Sequence, residues 1–415
     1  MKKVLSILLS VAMIVLCFAA CGKTDGDKSS TGKAANVKVG FIFLHDENST
    51  YDKNFITAAE EACKKAGVEI LKKTNISETQ ACYDAAAELV DEGCNVIFAD
   101  SFGHEPYVIQ AAKKFPEVQF LHATGTKAHT EGLSNYHNAF ASIYEGRYLA
   151  GVAAGMKLNE MISSGKITAD KAKMGYVGAY TYAEVISGYT SFYLGAKSVC
   201  PSVTMEVTCT GSWYDETAEK EAAQKLINNG CVLISQHADS MGAPTACEAA
   251  GVPNVSYNGS TVSACPNTFI VSSRIDWAPY LEYAIDCVKN GKAIDTDWTG
   301  TLSTGSVVLT DVNTKAAAEG TQAKIDEVKA ELESGKLHVF DTSAFTVTVS
   351  DSKNKNATVD ADGHLTGYKA DIDSDADNTG DTEVVSDGYF HESEKRSAPC
   401  FDVQIDGITL LDTKF

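Results

Sequence analysis

Signatures of catalysis are what this 415-residue sequence most plainly lacks. No G-x-S-x-G elbow raises a serine for nucleophilic attack, and the nine histidines stand in no catalytic motif. Neither a Walker loop nor G-x-G-x-x-G occurs, so nothing supports nucleotide hydrolysis or a dinucleotide cofactor. Basic residues are scarce too: 35 Lys and Arg against 55 Asp and Glu give a formal net charge of -20. Nucleic acid and anionic membrane surfaces repel such a chain, which argues against either as its main partner. Cysteine is present but unpaired in pattern, with no CxxC and no metal-ligand spacing beyond the N-terminal region. Cys63, Cys94, Cys231, Cys247 and Cys287 fall where helices and strands want a small apolar residue, as buried free thiols would. Cys200 and Cys209, close in sequence, are the disulfide candidates. The acidic run DIDSDADNTGD imitates a calcium loop, but counting from Asp375 puts Ser386 where the bidentate Glu belongs. No metal and no cofactor is expected.

What is present starts with targeting. Met1-Lys2-Lys3 and the apolar run over 4–20, ending FAACGK, form a secretory signal. Ala19 and Ala20 before Cys21 are similar to a bacterial lipobox, which makes Cys21 a lipidated mature N-terminus after a signal of residues 1–21. The polar stretch 22–36 reads as a tether. Together they predict an extracytoplasmic, membrane-anchored protein that touches the bilayer through its lipid alone.

Beyond the tether, apolar runs alternate with helical periodicity. Strands are expected over 37–44, 68–72, 95–99 and 118–122, with helices over 52–66, 77–91 (capped by Ser77) and up to Lys114 between them. The rhythm breaks over 124–138, and a small-residue helix follows over 144–159. It restarts with strands over 174–178, 203–208, 231–235, 254–257 and 269–273, and helices over 183–196, 216–229, 244–250 and 277–290. Strands alternating with helices imply parallel sheets covered on both faces. The fold class is therefore α/β, with two doubly wound parallel-sheet lobes joined by a hinge. Lobe 1 spans about 37–128 plus part of 259–300, and lobe 2 about 140–258 plus later segments. A strand over 301–309, a helix over 324–335 and the strand-like run LHVFDTSAFTVTVS come next. Residues 351–396 are acidic and turn-rich, as a surface insertion would be, and 400–411 return as a last strand or pair.

In open α/β sheets ligands bind beyond the carboxyl ends of the strands. Tyr51, Asn54 and Phe55 follow the first strand there, Ser101 and Phe102 the third, and Glu184 the strand over 174–178. Trp213 precedes the next helix, and Asp239 and Asn258 follow later strands. Taken singly these have plain readings: Phe55 as core, Glu184 as a helix-start charge, Trp213 as a lid over core. Their common placement suggests rings stacking on a flat, nitrogen-rich ligand while polar groups satisfy its edge.

Several ordered segments carry a family resemblance: NAFASIYEGRYLAGVAAG, KMGYVGAYTYAEVISGY, GSWYDETAEKEAAQKLINNG and SQHADS. Together with the lipobox they resemble the basic membrane protein family, from about Val37 to Phe340. The resemblance implies a type I periplasmic-binding fold, no enzymatic turnover, and delivery of a purine nucleoside or base to the permease subunits of an ABC importer. It puts Phe102 in an SFG motif, Trp213 in SWYD and Asp239 in QHADS. Asn258 stands where some members carry an Asp that would grip ribose, which leaves nucleoside and free base both open. An extracellular sensor of the same fold and a secreted nucleoside hydrolase are the competing classes.

Overall fold

A computed structural model describes residues 36–374 and 380–412. The expected signal, Cys21 and nearly all of the tether lie outside the described residues, as do 375–379 of the calcium-like run.

The first lobe runs β1 (Lys38–Ile42), α1 (Thr50–Ala66), β2 (Glu69–Lys73), α2 (Gln80–Asp91), β3 (Val96–Ala99), α3 (Glu105–Lys114), β4 (Gln119–Ala123), α4 (Ala128–Glu131) and β5 (Tyr136–Ala141). The chain crosses at Ser142 into a second lobe. That lobe runs α5 (Ile143–Ser163), β6 (Lys173–Gly178), α6 (Ala183–Val199), β7 (Thr204–Cys209), α7 (Glu216–Asn228), β8 (Leu233–Gln236), α8 (Gly242–Ala250), β9 (Asn254–Tyr257) and β10 (Phe269–Ile275). It returns to the first lobe for α9 (Ala278–Lys289) and β11 (Asp297–Gly300), then to the second for β12 (Val307–Leu309) and α10 (Thr321–Glu333). A small β-module ends the chain: β13 (Ala357–Val359), β14 (Leu365–Ala370), β15 (Thr382–Glu383), β16 (Val385–Ser386), β17 (Tyr389–Phe390) and β18 (Ile408–Leu410).

Strand order is β11-β5-β4-β3-β1-β2 in the first lobe and β12-β10-β9-β8-β6-β7-β18 in the second. Only β12 pairs antiparallel within these two sheets. The central strands are buried runs such as VIFA in β3 and LISQ in β8, as sheets covered on both faces require. The crossovers hold one another: Ser142 N–H donates to Gly300 O at 2.8 Å and Asp276 N–H to Ser306 O at 2.7 Å.

Helix boundaries follow local chemistry. Ser49 Oγ accepts from Asp52 N–H at the start of α1, and Gly67 ends it in the left-handed conformation at φ 65°. At α2 the cap is Thr79, not Ser77, whose hydroxyl is bonded to that of Thr79 at 2.8 Å. Helices α5 and α6 meet backbone to backbone. A Cβ on Gly151 would lie 2.0 Å from Phe192 O, and one on Gly195 the same 2.0 Å from Tyr148 O.

The structure departs from the sequence expectations at definite places. Residues 136–141 form a fully buried strand of the first lobe, inside and beyond the stretch where the rhythm breaks. Its polar side chains are satisfied internally: His137 Nε2 meets Gln119 Oε1 at 2.9 Å, and Asn138 Oδ1 accepts from Ala128 N–H at 2.8 Å. Cys200 and Cys209 are free thiols, placed before and at the far end of β7. LHVFDTSAFTVTVS contains a 3-10 turn, Thr342–Ala344, and no strand of either large sheet.

Residues 351–396 are not a purely superficial insertion. Phe340, Phe345, Phe390 and Phe401 form a buried aromatic cluster, with Phe340 and Phe401 stacked at 4.1 Å. The module also touches both lobes. Ser397 N–H donates to Asp297 Oδ2 at 2.7 Å, and β18 pairs parallel with β7 on the other side.

Candidate functional site

A cavity of about 350 Å³ opens at the carboxyl ends of both parallel sheets. That lies near the lower end of the roughly 300–1,000 Å³ typical of small-molecule sites. The first lobe contributes His45, Tyr51, Asp52, Ser101 and Phe102, and the second Tyr182, Glu184, Trp213, His237, Asp239 and Tyr257. Each follows a strand or opens a helix, so the topology itself gathers them.

The rings form a connected frame. Phe102 of the first lobe lies 5.3 Å from Tyr182 of the second, and Tyr182 lies 6.1 Å from Trp213. Tyr180 stacks on Tyr182 at 5.0 Å, and His237 packs 4.9 Å from Tyr257. Phe102 and Tyr182 keep 40% and 43% of their surface exposed, so both rings present open faces.

Polar groups sit among the rings. Glu184 Oε2 lies 2.7 Å from His237 Nε2, and Tyr257 OH donates to Glu184 Oε1 at 3.4 Å. Behind them His237 Nδ1 meets Tyr176 OH at 3.3 Å, and Tyr176 in turn accepts from the fully buried Arg147. Arg147 also lies 4.6 Å over the Tyr257 ring. Burial, and then the charges of Glu219, Asp52 and Glu184, holds the Asp239 carboxyl well above the usual carboxylate range, so it can donate as well as accept. Burial acts likewise on Asp100, with Asp52 beside it as the next cause. Burial also opposes charge on Asp52, but hydrogen bonds from His45 and Ser49 outweigh it and keep that carboxyl low.

Of the residues singled out in the sequence, Tyr51, Ser101, Phe102, Glu184, Trp213 and Asp239 line the cavity. Tyr51 OH donates to Asp100 O at 2.7 Å, and Ser101 Oγ donates to Glu78 Oε1 at 2.6 Å. Phe55 does not reach the cavity: it is buried and stacks on Trp277 at 4.4 Å. Asn54 lies on the seam between lobes, where its amide donates to Ile275 O and its Oδ1 accepts from Arg274 at 3.2 Å. Asn258 stands behind the wall, donating from Nδ2 to Asp239 Oδ1 at 3.2 Å.

Residues 40–337 match the family model Bmp, described as PnrA-like substrate-binding proteins of ABC transporters. The chain belongs to the Bmp family. It is an ABC transporter substrate-binding protein with a type I periplasmic-binding fold. A purine-binding protein of Brucella abortus is 30% identical over 310 residues, 73% of this chain and 83% of that one. A protein of Haloferax volcanii named for glucose binding in ABC transport is 27% identical over 332 residues, 78% of each chain. An ABC transporter solute-binding protein from Aeropyrum pernix has the same fold at TM-score 0.61 and 16% identity, covering 76% of this chain and 94% of that one.

This Bmp-family site contains residues that the sequence reading did not select. Tyr182 and Tyr257 stand at strand ends in the stretches GAYTYAEV and NVSYNG, and their placement was signal enough. Arg147 carried a signal as well, as the one charge in the run RYLAGVAAGM. A further wall comes from Asp371, Ser374, Arg396, Ala398, Cys400 and Asp402, all beyond the region matched by the family model.

Proposed function

We propose that this protein is a lipid-anchored extracytoplasmic receptor that closes its lobes over a purine nucleoside or related purine and delivers it to an ABC permease. The ring frame of Phe102, Tyr182 and Trp213, flanked by Glu184 and Asp239, carries the reading. Flat faces stack a heterocycle, and carboxyl groups accept from its N–H edge or from ribose hydroxyls. The purine-binding name of the Brucella relative supports the same class. Closure is a hinge motion about the crossovers at Ser142, 276–277 and 301–306.

The glucose-binding name of the Haloferax relative favours a second reading, since sugars also pack on rings. A native mass spectrum of the protein as purified separates the two. A retained mass matching a nucleoside or base supports the first reading, and a hexose mass overturns it. Anchoring at Cys21 is tested by detergent partitioning: the wild-type protein enters the detergent phase and Cys21→Ala stays in the aqueous phase. Aqueous partitioning of both would show that Cys21 carries no lipid.

A further inference from the structure

The C-terminal module contributes to the solute cavity although it lies outside the matched family region. Its wall is built. The Arg396 guanidinium donates to the carbonyls of Asp371 and Ile372 at 3.0 Å each, Ala398 at 3.1 Å and Pro399 at 2.8 Å. That cation is a clamp holding two segments of the wall together, not an anion receptor. On the inner side, buried Glu392 Oε2 accepts from the backbone of Cys400 at 3.0 Å and of Phe401 at 2.9 Å. The backbone leading to Asp402 is therefore fixed from both sides.

Asp402 is the group this wall offers to a solute. Tyr368 OH donates to its Oδ1, which fixes the orientation of the carboxyl at the cavity wall. The side chain is exposed and lines the cavity, so its carboxyl is open to a solute. A preoriented carboxyl on a cavity wall selects for hydrogen-bond donors and rejects acceptors or anions at the same position.

We propose that the module is a third wall of the solute site and that Asp402, oriented by Tyr368, determines specificity by accepting from a donor group on the bound solute. The proposal rests on the purine reading for the identity of that donor, which is an amino group on the base or a hydroxyl on the sugar. It does not need that reading for the role of Asp402. The fixed wall also gives this chain a selection that a two-lobed site alone lacks.

The test is calorimetry on the full chain with adenosine, adenine, purine riboside, guanosine and D-glucose, comparing wild type with Asp402→Asn and Tyr368→Phe. Asp402→Asn is isosteric, and an unchanged thermal midpoint confirms that it folds. We expect the best wild-type solute to bind Asp402→Asn roughly 10–100-fold more weakly, the worth of one hydrogen bond to a charged group. Tyr368→Phe keeps the carboxyl but frees its orientation, and should cost less, roughly 3–10-fold. Purine riboside lacks the base amino group and adenine lacks the sugar. Whichever of them is insensitive to Asp402→Asn identifies the donor. Equal affinity of wild type and Asp402→Asn for every solute bound overturns the proposal and leaves the purine reading intact. Loss of glucose binding in Asp402→Asn, with no purine bound by wild type, supports the proposal and overturns the purine reading. No binding of any of these solutes by wild type overturns both.

Discussion

The carbonyl oxygen of Asp239 in the second lobe accepts both the backbone N–H and the hydroxyl of Thr50 in the first, each at 3.1 Å. Thr50 opens α1, whose next residue, Tyr51, lines the cavity, so this contact joins the lobes at the site itself. Thr50→Val removes the hydroxyl bond and keeps the backbone bond and the shape. One such bond is worth about 0.5–1.5 kcal/mol, so adenosine affinity should fall roughly 2–10-fold. Unchanged affinity in calorimetry would show that the contact does not contribute to closure.

Arg147 underlies the Glu184–His237 pair. Its guanidinium donates to Gln236 O at 3.1 Å and to Tyr176 OH, which meets His237. Arg147→Met fills similar space and leaves those acceptors without a donor. Urea unfolding should show a loss of roughly 1.5–3 kcal/mol, with weaker solute binding. A variant with the wild-type midpoint would mean that the buried charge is idle.

Protonation of Glu219 should make stability fall with rising pH. Glu219 Oε1 accepts from Asp215 N–H at 3.1 Å and Oε2 from Ser240 N–H at 3.1 Å, so it ties together the loops carrying Trp213 and Asp239. Burial pushes this carboxyl from its ordinary 4.5 up to about 7, against hydrogen bonds from Ser240 and Asp215. Between those values the folded state holds the proton more tightly than the unfolded one. The contribution is therefore complete below about 4.5 and lost as pH rises to about 7, on the order of 3 kcal/mol. Burial moves Glu145 the same way, also to about 7. Thermal melts should show a midpoint falling between about pH 4.5 and pH 7, with a shallower fall in Glu219→Gln. An equal slope in both proteins would contradict the assignment.

The buried cysteines should behave as inert thiols. Burial pushes Cys63 up to about 12 and Cys94 to about 11, far from the reactive thiolate range. Cys63, Cys200, Cys209 and Cys400 are among the free, buried set. A thiol reagent should label native protein slowly and unfolded protein fully, without prior reduction. The mass deficit of a disulfide in the unreduced protein would contradict this.

Much of this molecule was legible in its sequence because parallel strands buried on both faces are short apolar runs, and helices between them keep their period. Part of the cavity lining was legible for the same reason, since strand ends fix where side chains gather. Depth was not legible. Tyr51 and Phe55 are four residues apart on one helix face, with ring centroids 4.9 Å apart, yet only the first reaches the cavity. Strand Tyr136–Ala141 escaped notice because His137 and Asn138 bury polar groups through bonds to residues distant in the chain. The C-terminal wall escaped because its lining residues sit on bends and irregular chain, where no period marks them.

Whether the two lobes enclose a purine is decided by titrating adenosine into the purified protein, with calorimetry and tryptophan fluorescence read together. Heat should saturate at one solute per chain, with Trp213 fluorescence quenched in step. An absence of heat with adenosine, adenine and guanosine, beside saturable binding of D-glucose, would contradict purine enclosure.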